Sequence, residues 1–243
     1  MHLSLLLATA AAALAGCNMS ANAQRNDTAS TAQTQRSFDV GAFDSIELEG
    51  PHDVTVAVGS APSIRAEGAA NVLEEMEVVV ESDGNLVIRD KKDGLNWGRN
   101  RKPAKVFVTV PSLKAAAIGG SGDMRIDRVT GDDFAAAVGG SGNIDLASLT
   151  VAKASFSIGG SGNIKAAGKV DDMSAAIAGS GNIGVGEVES RRASVSIAGS
   201  GNANVRASES ADINIVGSGD VHVGGGAKCT VNKMGSGDVE CGA

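Results

Sequence analysis

From Lys114 to the end of the chain, apolar residues alternate with small or polar ones, and the alternation pauses seven times at a Gly-Ser-Gly phrase. The phrases centre on Ser121, Ser141, Ser161, Ser180, Ser200, Ser218 and Ser236. Three residues before these serines stand Ile118, Val138, Ile158, Ile177, Ile197, Ile215 and Lys233, and three after them Met124, Ile144, Ile164, Ile183, Ala203, Val221 and Val239. The positions five before (Ala116, Ala136, Phe156, Ala175, Val195, Ile213, Val231) and five after (Ile126, Leu146, Ala166, Val185, Val205, Val223, Cys241) repeat the pattern. Steps of two on both sides are the period of a strand. Each unit therefore predicts a strand, a tight corner and a second strand. The rest of the unit returns the chain with one further apolar residue, as at Val129, Leu149, Val170 and Val188. The intervals between serines are 20, 20, 19, 20, 18 and 18 residues. A fixed period of this size marks a solenoid whose units bury their apolar sides against their neighbours. The expected fold class is all-β, a β-helix (β-solenoid) with coils of 18 to 20 residues.

The glycines belong where the chain turns. Such a corner favours φ > 0, which glycine adopts without a steric penalty, and corners stacked at ~4.8 Å leave little room for a Cβ. Two residues after each serine comes Asp123, Asn143, Asn163, Asn182, Asn202, Asp220 or Asp238. Stacked asparagine side chains hydrogen-bond along such an array, so Asn143, Asn163, Asn182 and Asn202 are expected to form a polar ladder beside a ladder of serines.

The amino-terminal part carries the phrase in worn form. Ile46 and Leu48 lead into Gly50-Pro51-His52, with Val54 and Val56 beyond; Val78 and Val80 lead into Asp83-Gly84, with Leu86 and Ile88 beyond. Residues 38–113 read as irregular coils, including an alternating strand from Lys105 to Val110, and residues 114–243 as seven regular ones. Before Phe38 the pattern changes. Residues 1–16 form a short apolar segment ending in Leu14-Ala15-Gly16, followed by Cys17. This reads as a secretory signal, and the tetrad resembles the lipobox of bacterial lipoproteins, which implies lipidation of Cys17. Asn18, rather than an aspartate, follows the cysteine, which points to the outer membrane. Residues 17–37 are polar and without apolar period, so they read as a flexible tether.

A net charge of −7 argues against nucleic acid as a partner, because that binding needs a basic footprint. One Trp, no Tyr and 33 Gly leave almost no aromatic platform for stacking sugars or bases. The phrases around Phe43 to Ser60, "NLVI", the tryptophan in "NWG", "VFVTVPSL" and the repeated "GSGN" or "GSGD" together resemble the bacterial head GIN adhesin family over residues 38–243. The resemblance implies a right-handed single-stranded β-helix in an envelope or secreted protein, and it supplies no catalytic residues.

A lyase or hydrolase acting on carbohydrate is the main rival on a β-helix, and it needs clustered acid and base groups on an outward face. Here one outward row is Ala117, Ala137, Ser157, Ala176, Ser196, Asn214 and Asn232, small and uncharged. The opposite sheet alternates Arg125, Asp145 and Lys165, whose neighbours should attract. His52 and His222 lack a nucleophilic partner, so no catalytic residue is assigned. The glycine phrases faintly resemble a calcium-binding repeat, but their period is longer and they carry mostly Asn. Calcium would be confined to Asp220 and Asp238; no metal or cofactor is expected. The stretch from Asp90 to Lys105 is the one basic, aromatic-bearing insertion, and Trp97, Arg99, Arg101 and Lys102 are its candidate contacts for a partner. Cys229 and Cys241 fall at inward positions on either side of the last corner and are expected to form a disulfide, in an oxidising compartment that leaves them as an even pair once Cys17 is lipidated. The sequence therefore reads as a non-catalytic envelope lipoprotein, anchored to the membrane through lipid. Its β-helical domain is adhesin-like or structural. It meets an envelope protein or glycan, or a second copy through its flat Ala/Ser face.

Overall fold

A computed structural model describes residues 33–91 and 102–242. The strands in chain order are β1 (Gln33–Phe38), β2 (Ser45–Glu49), β3 (Asp53–Val58), β4 (Ser63–Ala69), β5 (Met76–Val80), β6 (Asn85–Asp90), β7 (Lys105–Val110), β8 (Ala115–Ile118) and β9 (Met124–Ile126). They continue as β10 (Val129–Val138), β11 (Asn143–Ile158), β12 (Asn163–Gly179), β13 (Asn182–Gly199), β14 (Asn202–Gly217), β15 (Val221–Gly224), β16 (Lys228–Gly235) and β17 (Val239–Cys241). A short helix, α1 (Ala70–Glu75), joins β4 to β5.

From β8 onward each coil pairs in parallel with the next, and the chain forms a β-solenoid. The register superposes like on like. Ile144 lies beside Ile164, Ile164 beside Ile183, and Ile183 beside Ala203. On the other side of the corner Val138, Ile158, Ile177, Ile197 and Ile215 form a second continuous row. Both rows are buried and enclose a core in which Phe156 is the largest fully buried side chain. The unequal coil lengths are absorbed away from the Gly-Ser-Gly corner. Register shifts fall between Leu146 and Leu149, between Lys165 and Ala167, and between Gly184 and Arg192. The corner itself therefore stays in phase.

The corner glycines are required by close approach. The carbonyl oxygens of Gly120, Gly140, Gly160 and Gly179, each just before a corner serine, accept two N–H groups from the next coil, such as Ser161 N and Gly162 N on Gly140 O at 3.0 and 3.2 Å, and those of Gly199 and Gly217 accept one. A Cβ built on Gly140, Gly142, Gly160 or Gly162 would lie closer than 3.0 Å to a carbonyl oxygen of the coil beneath. Positive φ is the added reason at Gly179, Gly199, Gly217 and Gly235, but not at Gly120, Gly140 or Gly160.

The amino-terminal region departs from the sequence reading in two ways. β2 lies between β6 and β8, and β3 between β7 and β9, all in parallel. The coil that comes first in sequence is thus second along the axis, and the coil 85–110 lies outside it. Beyond that, β5 pairs antiparallel with β6 and β4 antiparallel with β7, and α1 buries Val72 and Leu73. The segment 63–80 is therefore an antiparallel closing layer, where an irregular coil was expected. β1 pairs antiparallel with β4, with Gln33 opposite Ala69. The tether expected over residues 17–37 gives way to ordered strand at Gln33, because an edge of β4 is open there for pairing. The guanidinium of Arg36 holds β1 down by donating to Leu73 O at 2.7 Å.

Candidate functional site

The side chains two residues past the corner serines form one hydrogen-bonded column. Asn143 Nδ2 donates to Asp123 Oδ1 at 2.7 Å, Asn163 Nδ2 to Asn143 Oδ1 at 2.7 Å, Asn182 Nδ2 to Asn163 Oδ1 at 2.9 Å, and Asn202 Nδ2 to Asn182 Oδ1 at 3.1 Å. Every amide points the same way, and the column starts on a residue that can only accept. At the other end Asp220 N donates to Asn202 Oδ1 at 2.9 Å and Asp238 N to Asp220 Oδ1 at 2.8 Å. Asp220 and Asp238 are stacked neighbours, and no group of three or more His, Cys, Asp or Glu among the described residues could hold a metal ion. The corner serines are exposed beside the column.

The direction of the column gives a test. A carboxylate at position 163 cannot donate to Asn143, and its oxygen would face that acceptor. Asn163→Asp is expected to lower stability by about 1–2 kcal/mol at pH 7. The ionised form is the penalised one, so the folded-state pKa of the new carboxyl rises. The deficit is present above that pKa and shrinks as pH falls through it. Urea unfolding at neutral and acid pH measures this; equal deficits at both would refute the directional reading.

One sheet presents the flat face. Ala117, Ala137, Ser157, Ala176, Ser196 and Asn214 lie in register along it. The opposite sheet aligns Arg125 with Asp145 and Asp145 with Lys165, yet no ion pair within 4.0 Å joins them among the described residues. A close pair stands at a corner that the sequence reading passed over, where the return strand meets the flat sheet. There Asp133, Lys153, Asp172 and Arg192 fall in register. Arg192 makes a two-pronged contact with Asp172, at 2.6 and 2.8 Å. This hydrogen bond holds the Asp172 carboxyl below the usual carboxylate range. Stability from a depressed carboxylate is present above its unfolded pKa and lost as pH falls through the folded one, and for so exposed a pair it is small. The same corner borders a groove of about 850 Å³ with Phe134, Ala154 and Met173 at its base.

His52 occupies the corner position that glycine holds in the regular coils, and it is 2% exposed. In the coil outside it, β6 and β7 are joined by residues 91–104 in place of a Gly-Ser-Gly corner. His52 Nε2 lies 2.9 Å from Asp90 Oδ1, and Nδ1 accepts from Ala104 N at 3.2 Å, so the ring links both ends of that segment. His222 Nδ1 lies 3.0 Å from Glu240 Oε2 on the surface. Of the candidate contacts in the segment between β6 and β7, Lys102 is exposed, and Trp97, Arg99 and Arg101 lie outside the described residues, as does Cys17.

Cys229 and Cys241 are disulfide-bonded, with a Cα–Cα separation of 6.5 Å, and they link the strands on either side of the last corner. Lys233, in the row filled elsewhere by Ile or Val, donates from Nζ to Gly237 O at 2.6 Å. The last coil is more exposed than its inward pattern predicts, with Val231 at 43%, because no further coil covers it among the described residues.

No curated protein matches the chain. Solved structures do. A protein described as a putative adhesin from Bacteroides fragilis superposes with a TM-score of 0.82 at 25% identity, covering 88% of this chain and 98% of that one. One described as a putative lipid binding protein from Parabacteroides distasonis gives 0.68 at 26% identity, covering 87% and 97%. A putative adhesin from Parabacteroides distasonis, at 21% identity and a TM-score of 0.70 over 88% and 98% of the two chains, shares the fold. The family model described as "Putative auto-transporter adhesin, head GIN domain" matches residues 42–227, from just before β2 to the coil that precedes β16, and the chain belongs to that family.

Proposed function

We propose that the protein is a non-catalytic lipoprotein of the bacterial envelope, anchored through lipid on Cys17 to the outer membrane, which presents its solenoid as a rigid binding surface. The observation that carries this reading is the flat face. Its outward side chains stay small over six coils in register, and the charged row Asp133, Lys153, Asp172 and Arg192 runs along one border of it. Such a face gives a partner a broad area of close approach. Membership of an adhesin family supports it, as does the adhesin description of the Bacteroides fragilis relative. The basic segment between β6 and β7 supplies the binding contacts, because Trp and Arg are among the residue types most enriched at binding hot spots and the rest of the chain is acidic.

Cells fed a labelled fatty acid are expected to label the wild-type chain and not Cys17→Ala. Trp97→Ala with Arg99→Ala is expected to weaken binding to isolated envelope by about tenfold or more with an unchanged β-sheet circular dichroism spectrum. Equal labelling of Cys17→Ala would overturn the anchor, and unchanged binding would overturn the basic segment as the contact. A second reading is a bound amphiphile in the groove over Phe134 and Met173, favoured by its apolar base and by the lipid-binding description of the Parabacteroides distasonis relative. A fluorescent fatty acid displaced by Ser155→Trp would distinguish it.

A further inference from the structure

The groove beside the charged corner is built from rows that repeat once per coil. Along one side Asp133, Lys153, Asp172, Arg192 and Ser210 follow one another in register, and along the other Ala135, Ser155, Ser174, Ser194 and Asp212. Between the two rows lie Phe134, Ala154, Met173 and Ala193. With a rise of ~4.8 Å per coil, the groove runs along the solenoid axis for roughly 20 Å. Its floor is apolar but closed: these four residues are 2%, 4%, 3% and 3% exposed. An acyl chain gains in proportion to the apolar area that it covers, and this floor offers little.

The groups left open are the polar ones at the sides. Ser155, Ser174 and Ser194 are exposed, and their hydroxyls, each a donor and an acceptor, have no partner among the described residues. Of the charged side chains around the groove, Arg192 is taken by Asp172 and Lys114 by Asp44. Lys153, Asp132, Asp133 and Asp212 make no ion pair within 4.0 Å among the described residues, so the untied charges are mainly acidic.

We propose that this groove is a binding site for a linear, uncharged glycan, which lies along the solenoid axis with one hexose ring per coil. A hexose carries C–H groups on its faces and hydroxyls around its edge. In an extended chain with equatorial linkages, each ring advances by close to the rise of one coil. Successive rings therefore meet the same set of groups: the apolar floor beneath, a serine hydroxyl at one edge and a side chain of the charged row at the other. The untied carboxylates turn away a polyanionic glycan. With no exposed aromatic ring to stack on, the grip comes from hydrogen bonds and the affinity is modest. The inference rests on the solenoid being a binding surface, and it places the contact in this groove rather than across the flat face.

The experiment titrates the oxidised chain carrying Cys17→Ser with linear β-1,4-linked pentasaccharides of glucose and of N-acetylglucosamine, followed by calorimetry. At least one is expected to bind with a Kd on the order of 100 µM, and its trisaccharide about tenfold more weakly because it spans fewer coils. A galacturonic acid pentasaccharide should bind about tenfold more weakly than the neutral one. Ser174→Trp, which fills the middle of the groove from an exposed position, should raise the Kd about tenfold or more with an unchanged circular dichroism spectrum. Ala137→Trp, on the flat face outside the groove, should leave that Kd unchanged even where it abolishes binding to isolated envelope, so the two readings fail separately. The proposal is overturned if neither neutral pentasaccharide binds with a Kd below about 5 mM, or if Ser174→Trp binds as wild type does. Preference for the galacturonic acid chain would overturn it too. So would a fluorescent fatty acid that binds wild type, is lost in Ser174→Trp and is displaced by neither pentasaccharide.

Discussion

Alanine at Gly162 is expected to destabilise the protein by about 4 kcal/mol or more, whereas alanine at Gly159, three residues earlier, should be neutral or slightly stabilising. A Cβ at Gly162 would run into Gly142 O, lie 2.6 Å from Val138 Cγ1 and lie 3.2 Å from the Gly142 carbonyl carbon. Two of those atoms are backbone, so no rotamer change relieves the contact. The coils would have to separate, and separation removes the bonds from Ser161 N and Gly162 N to Gly140 O. Each is worth about 1 kcal/mol, and the overpacking strain adds about 1–3 kcal/mol. At Gly159 a Cβ would meet nothing within 4 Å, so only the lower entropy of the unfolded chain counts. Gly162 also lies in mid-array. A solenoid is held by nearest-neighbour contacts, so a broken interface there divides it into two shorter stacks. Urea unfolding of the two variants beside wild type measures the contrast, and coincident midpoints would show that the corners have slack that the structure denies.

This contrast explains why the regular coils were legible. A steric demand at two fixed positions writes a glycine before and after each serine, and a period of two on either side marks which side chains turn inward. Ile144, Ile164 and Ile183 follow directly from that rule. The axial order of the first coils does not. The pattern around Ile46 and Leu48 tells which face is buried, but nothing in it tells that β2 is stacked between β6 and β8, since any coil offers the same aliphatic surface. The closing layer was hidden for a related reason. Val78 and Val80 alternate in the same way whether their strand is parallel or antiparallel, and α1 is too short for its period to register.

The functional features divide along the same line. The asparagine column was readable because its residues recur at one position in every coil. The charged corner from Asp133 to Arg192 was passed over although its residues stand eight before Ser141, Ser161, Ser180 and Ser200, because their types change from coil to coil and no single residue repeats there. Val231 and Cys241 were placed in inward rows by position, and the row assignment is correct; what the sequence pattern lacks is whether another coil lies above them. His52 was weighed as a catalytic candidate from its residue type. Its partners, Asp90 and Ala104, are brought to it by a coil that the sequence order places elsewhere.

The last coil is where the disulfide has its effect. Replacing Cys229 and Cys241 by Ser should leave the thermal midpoint of the main array nearly unchanged and lower the local stability of the last coil by about 3 kcal/mol, the loop-closure value for a bridge with a separation of 12 residues. Neighbouring coils report little of the loss, because contacts in a solenoid reach only one coil away. The last coil has the least to replace it. Among the described residues β16 pairs only with β14 and β17 only with β15, and the side chain of Val231 is half in water. Lys233 contributes one hydrogen bond across the end, to Gly237 O. Amide exchange is the measurement that sees a local change, and about 3 kcal/mol corresponds to roughly a hundredfold faster exchange when opening is at equilibrium. The expected pattern is that acceleration at the β16 and β17 amides bonded to β14 and β15, with the amides of β11 and β12 unaffected. Unchanged exchange in β16 would mean that pairing with β14 alone secures the coil, and uniform acceleration across the array would mean that the solenoid unfolds as one unit.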